Sequence, residues 1–251
     1  MKRLASGTIA LAFGALVVGA GNARAQQAAA APAAAQQQDT RPGIAVLDFD
    51  VSAVLGQDHD TYDALGRGLA AMTLTELTAN PAVRVVERAQ LQQILQEQNL
   101  GHKGRMDQAT LSRIGKLIGA RYMVTGTLID IRGSLRIDTR VFNSETGEVL
   151  KTESVRGRMD AIFDMIPRLA QQLMRDANLP PLERRAMEEF RQRNPAPPTN
   201  AVMAYSRAQL FADRGDRDRA VEQYRRALAA FPQFTQAKAD CNRLQAGACE
   251  G

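Results

Sequence analysis

The sequence predicts an α/β domain of α+β-like order, a mixed sheet with helices packed on it, followed by a small all-α helical hairpin. Three observations predict it. Val83, Val85 and Val86 are β-branched and favour the pleated backbone, whereas Leu91, Ile94 and Leu95 recur at helical spacing, so the period switches from strand to helix at Glu87-Arg88. Residues 122–131, 135–142 and 148–155 then read as three strands of a meander, joined at Arg132-Gly133-Ser134 and across 143–147. After a charged and Pro-rich stretch at 179–200, residues 201–234 hold two helical patterns joined at Gly215-Asp216.

Taken in order, the chain opens on a leader. Lys2 and Arg3 precede an apolar run at 8–20 that ends near Ala23-Arg24-Ala25, the layout of a cleavable signal peptide over residues 1–25. Thirteen helical residues would cover about 20 Å, short of the roughly 30 Å of a bilayer core. No Cys stands near the cleavage site to carry a lipid, and no transmembrane segment is expected after cleavage. Removing Lys2, Arg3 and Arg24 lowers the formal charge of +5 by three, to +2, so charge gives little reason to expect nucleic acid as a partner.

Residues 26–42 are a Gln/Ala/Pro low-complexity linker, and the sheet domain is placed at 43–178. Its first strand is IAVLDFD at 44–50, and a polar segment leads to a helix at about 61–78, where Asp60 can act as N-cap. Asp107 can cap a helix carrying Leu111, Ile114, Leu117 and Ile118, which Gly119 ends in the left-handed conformation. Residues 160–177 return to helix with Ile162, Phe163, Ile166, Leu169, Leu173 and Met174 inward, and Pro167 fits best in the first turn of a second helical segment. The order is β-α-β-α-α-β-β-β-α. A charged piece at 182–193 precedes the helical unit at 201–246, in which 234–244 supplies a capping helix.

Cys241 and Cys249 are the two cysteines, and an exported chain meets oxidising conditions. Eight helical steps would hold them about 12 Å apart, beyond the roughly 7 Å limit of a bridge, so a disulfide requires the chain to turn, with Gly247 as the candidate. A bridge and two free thiols are equal alternatives from the sequence.

No residue set announces a reaction. His59 and His102 fall in polar connecting segments and read as solvated, and no Cys/His cluster has metal-ligand spacing. Gly66-Arg67-Gly68 lies inside a helix and not between a strand and a helix, which argues against a dinucleotide site. Asp48 and Asp50 end the first strand and read as turn or capping residues before they read as an acid/base pair. Glu87-Arg88 reads first as a structural ion pair and second as a partner contact. No enzyme activity, cofactor or metal is expected.

Two resemblances sharpen the expectation. Ala208, Phe211, Gly215, Ala220, Tyr224, Ala227 and Pro232 fall on the small, aromatic and terminating positions of a tetratricopeptide (TPR) repeat, with Ala204 where the pattern has a large aromatic and Tyr205 beside it. A single repeat cannot bury its hydrophobic face alone, so something must cover it. Residues 44–50, 85–98, 114–128 and 140–150, in that order, resemble the curli production assembly/transport (CsgG/HfaB-type) family and the wider group that includes the amino-terminal domain of TolB. The family's secretion-channel members are lipoproteins with added barrel hairpins; this chain has neither a lipid-site Cys nor spare length for such hairpins, and Arg136, Asp138 and Arg140 fit a water-facing sheet better than a lipid-facing one.

The resemblances imply a non-enzymatic protein-binding or assembly scaffold in the periplasm, with TPR-mediated contacts to other envelope proteins or to itself. The alternative is a peripheral component of an outer-membrane secretion apparatus. Glu87, Arg88, Gln92, Gln93 and Gln96 through Gln98 form the expected exposed partner surface, with Arg207 and Arg214 on the hairpin.

Overall fold

A computed structural model describes residues 39–54, 59–100, 106–181 and 183–250. The leader, most of the linker, the turn at 101–105 with His102, and Leu182 lie outside the described residues. Asp39–Gly251 form one compact unit.

Six strands form one mixed sheet. Strand β1 (Gly43–Val46) runs parallel to β3 (Arg84–Val85) on one side and to β4 (Tyr122–Ile131) on the other. Strand β2 (Asp50–Val54) continues along the same edge of β4, which then pairs antiparallel with β5 (Ser134–Asn143), and β5 with β6 (Val149–Arg158). The first strand predicted as continuous over 44–50 is therefore interrupted, and the segment read as polar holds a second strand. The interruption has a packing cause: Phe49 lies over Gly126, where a Cβ would come within 2.6 Å of the Phe49 ring. Strand β3, at the edge of the sheet, is short: Val86 still donates its amide to the Ile44 carbonyl at 2.8 Å, and α2 begins two residues later at Arg88.

Helices cover the sheet on two sides. On one side α1 (His59–Thr78) and α4 (Ile166–Asp176) pack Leu65, Leu69, Leu169 and Leu173 against Val124, Leu128, Leu135 and Ile137. On the other, α2 (Arg88–Glu97) and α3 (Gln108–Ile118) bury Leu91, Leu95 and Ile114 against Ala45, Leu47, Met123 and Phe142. Asp107 caps α3 by accepting from the Thr110 amide, and Gly119 closes it at φ 67°. A 3-10 segment (Met159–Met165) precedes α4, so Pro167 occupies the first turn of a new helix, where its missing N–H costs nothing.

The C-terminal region is all helical: α5 (Arg184–Arg193), α6 (Thr199–Asp213), α7 (Arg217–Ala230) and α8 (Thr235–Leu244). Ala208, Ala220 and Ala227 are fully buried, and Gly215 makes the turn between α6 and α7 at φ 78°. The large aromatic is Tyr205, fully buried against the rings of Tyr224 (5.9 Å) and Phe234 (4.9 Å). Its hydroxyl donates to Asp240 at 2.8 Å, and burial first, then that carboxylate, push the phenol well above its ordinary pKa. Cys241 and Cys249 are bonded across a Cα separation of 6.0 Å, because α8 ends at Leu244 and Gly247 turns the chain at φ 75°. No described helix is long and apolar enough to cross a membrane.

The boundary drawn at 179–200 does not divide the core. Ala201, Val202, Tyr205 and Ala208 belong to the same apolar cluster as Leu65, Leu69 and Met72. Helix α1 therefore lies between the sheet and α6, and its two glycines explain how. A Cβ at Gly66 would meet the Phe49 carbonyl oxygen at 2.2 Å, and one at Gly68 would meet Ser206 Oγ at 1.9 Å. Two residues apart on a helix, they stand about 200° apart around its axis, one toward the sheet and one toward α6.

Gly68→Ala is expected to destabilise the protein by about 1–3 kcal/mol in urea melts, despite alanine's better helix propensity. Ser206→Ala in the same chain should recover part of the loss; an unchanged midpoint for G68A alone would overturn the close approach. Cys241→Ser/Cys249→Ser should cost about 2–3 kcal/mol in the same assay, the loop-closure value for a bridge of this span.

Candidate functional site

The most concentrated charge in the interior lies where four parts of the chain meet. Asp48 sits in the break between β1 and β2, Arg67 on α1 between its two glycines, Arg88 at the start of α2, and Asp213 at the end of α6. Arg88 donates to Asp48 (Nη2 to Oδ2, 2.9 Å) and to Asp213 (Nη2 to Oδ2, 2.8 Å), and Arg67 Nε donates to Asp213 at 2.8 Å and lies 3.9 Å from Asp48. The side chains retain only 4–15% of their accessible surface. Two cations and two anions alternate, so the cluster is neutral and each charge faces opposite charge.

Burial alone would depress the Arg88 pKa, yet the Asp48 and Asp213 carboxylates outweigh it and hold the guanidinium well above its ordinary value. For Asp213 burial works toward protonation, and Arg88 and Arg67 overcome it to hold the carboxyl below 3.8. Peripheral contacts tie α1 to the helical region: Arg214 at the end of α6 pairs with Asp60 at 2.7 Å, Arg207 on α6 donates to Thr61 at 3.3 Å, and Thr75 donates to Gln236 on α8 at 3.1 Å. The arrangement has the chemistry of a lock, with every charge committed to a partner inside the chain.

This placement divides the residues expected on a partner surface. Arg88 and Gln92 are not available to one: Arg88 is drawn inward by two carboxylates, and Gln92, one turn further along α2, is buried. Glu87, Gln93, Gln96 and Gln98 are exposed, and Gln93 donates to Glu97 at 2.9 Å. Arg207 and Arg214 are exposed too, but both engage α1. Asp48 belongs to the lock, and Asp50 accepts from the Val51 amide at 3.0 Å. His59 begins α1, and its side chain is outside the described residues. Among the described residues no group of three or more His, Cys, Asp or Glu is arranged to hold a metal.

Arg67 and Asp213 are the members that pattern reading passed over. Arg67 carried a signal: an arginine next to Leu65 and Leu69, flanked by glycines that permit close packing, must find a buried carboxylate. Asp213 carried none, since its partner is 125 residues away in the chain.

A model of the family described as "Curli production assembly/transport component CsgG" matches residues 24–132. That span ends at the turn between β4 and β5, so it contains three of the four resembling blocks and stops short of the fourth at 140–150. Among solved structures, the chain is similar to the LpoB C-terminal domain from Escherichia coli, at 14% identity and a TM-score of 0.36 over 47% of this chain and 83% of that one. It is similar to lipoprotein GNA1162 from Neisseria meningitidis, at 12% identity and 0.40 over 52% and 95%. TolB from Acinetobacter baumannii follows at 13% and 0.35 over 56% and 28%. No curated protein matches the chain.

Asp213→Ala should cost about 3–5 kcal/mol in urea melts, because it leaves two buried guanidiniums sharing one carboxylate. Replacing Arg88 and Asp213 together by Met and Leu should cost less than the two single changes summed. The Asp213 pKa is depressed in the folded state, so its contribution is complete above the unfolded value of 3.8 and is lost as pH falls below it through the folded value. Asp213→Asn should therefore flatten the loss of stability below pH 4; an acid limb as steep as that of the parent chain would remove Asp213 from the titration.

Proposed function

We propose that this protein is a non-enzymatic scaffold of the bacterial envelope, exported to the periplasm on a cleavable leader, which binds other envelope proteins by surface complementarity and not by turnover. The observation that carries the reading is the family match over 24–132. The charge lock supports it: a body whose sheet domain and helical hairpin share one core presents its outer faces at fixed separation, as an assembly scaffold requires. The three fully buried alanines and the Tyr205–Tyr224 pair support a TPR-like hairpin, whose inner face is covered by α1 and α8. Its role is then to extend the scaffold surface, with the exposed glutamines of α2 as a second contact region.

The second reading is a peripheral part of an outer-membrane secretion apparatus, favoured by the family's description as an assembly/transport component. Cell fractionation separates the two. Release by osmotic shock, together with crosslinked heteromeric species in mass spectrometry, is the outcome expected of the scaffold. Detergent-dependent extraction as a ring would favour the transport reading. Recovery of monomer alone, under conditions that capture other envelope complexes, would sink both.

A further inference from the structure

Helices α2 and α3 cover one side of the sheet only over β1, the start of β4 and the end of β5. Beyond them that side is open. Strand β5 alternates strictly, with Leu135, Ile137, Thr139 and Val141 buried toward α1 and α4, and Ser134, Arg136, Asp138 and Arg140 turned the other way. The register places Arg136 beside Arg156, Asp138 beside Ser154 and Arg140 beside Thr152. A bulge at Leu150 sends Lys151 and Glu153 to the opposite face, where Lys151 reaches Asp176 at 3.1 Å. The open face of β6 begins with the exposed Val149 and is otherwise left with Thr152, Ser154, Arg156 and Arg158, all exposed.

We propose that this uncovered face of β5 and β6 is a docking surface for an acidic face of a partner protein. Arg136, Arg140 and Arg156 against the single carboxylate of Asp138 make it basic although the chain as a whole is only moderately so. Arg136 and Arg156 lie directly opposite each other on neighbouring strands, about 5 Å apart at Cβ, where like charges oppose sheet formation and an inserted carboxylate relieves them. Asp138 neutralises Arg136 in part, at 2.7 Å, whereas Arg140 and Arg156 have no ion-pair partner among the described residues.

The cations are arginines without a lysine, the pattern of a protein interface, where planar bidentate pairing with carboxylates is selected. No aromatic side chain stands among them for base stacking, which disfavours single-stranded nucleic acid. Asp138 in the middle row would oppose a uniformly anionic lipid surface, but it is compatible with discrete carboxylates placed over Arg140 and Arg156.

The surface deepens the scaffold reading and rests on it. The test is a photoreactive residue at position 154, in the middle of the face, compared in cells with one at position 93 on α2. The expected result is a defined protein adduct at 154 whose crosslinked peptide is rich in Asp and Glu. Its yield should fall at least about ten-fold in Arg140→Glu/Arg156→Glu with the thermal midpoint retained; Arg140→Gln/Arg156→Gln serves if the reversal does not fold. An adduct at 93 alone would overturn this surface and leave the scaffold standing, and no adduct at either position would remove both. An adduct that survives charge reversal, or binding to phosphatidylglycerol vesicles that the reversal abolishes without any protein adduct, would also overturn the proposal.

Discussion

Arg88 holds two carboxylates that come from opposite ends of the chain, and the rest of the structure depends on that meeting. Asp48 reaches it because β1 breaks before β2, and Asp213 reaches it because α6 lies along α1. The four buried charges carry a large desolvation cost, which only mutual pairing offsets. A shift of the hairpin by one helical turn would strand two guanidiniums with one carboxylate. The apolar core makes the hairpin stick to the sheet domain, whereas the ion cluster specifies one seating for it.

Helix α1 is the mechanical counterpart of that lock. It has no free side in the usual sense of a surface helix, since the sheet domain takes one face and α6 another. Gly66 and Gly68 let two backbones approach it from different directions, and Arg67 between them carries the charge that both directions share. A G-x-G spacing that resembles a nucleotide signature thus has a packing explanation at each glycine.

The consequence for function is a division of the surface. Charges drawn into the lock, and Arg207 and Arg214 at its rim, are spent on internal geometry. Among the residues left facing outward are the polar side of α2 and the open half of the sheet. Strand β6 is an edge, and its charged side chains protect it from indiscriminate pairing. The middle of the open face is built from arginine, serine and threonine, with the exposed Ile131 and Val149 at its borders.

Much of this was legible from pattern alone. The switch of period at Glu87-Arg88, the three-stranded meander, the Asp107 and Gly119 helix stops and the place of Pro167 are local, because propensity and capping act within a few residues. The alternation of Leu135, Ile137 and Val141 against Arg136, Asp138 and Arg140 was equally local. Tertiary packing decided the rest. It interrupted the first strand so that Phe49 could lie over Gly126, turned Arg88 and Gln92 inward, and sent Lys151 and Glu153 to the far face through a one-residue bulge. It closed the Cys241–Cys249 bridge, which spacing left open, by ending α8 at Leu244. Above all it joined Asp213 to Arg67 and Arg88, a contact between segments whose separation in sequence carries no periodic signal, so only the folded chain could bring them together.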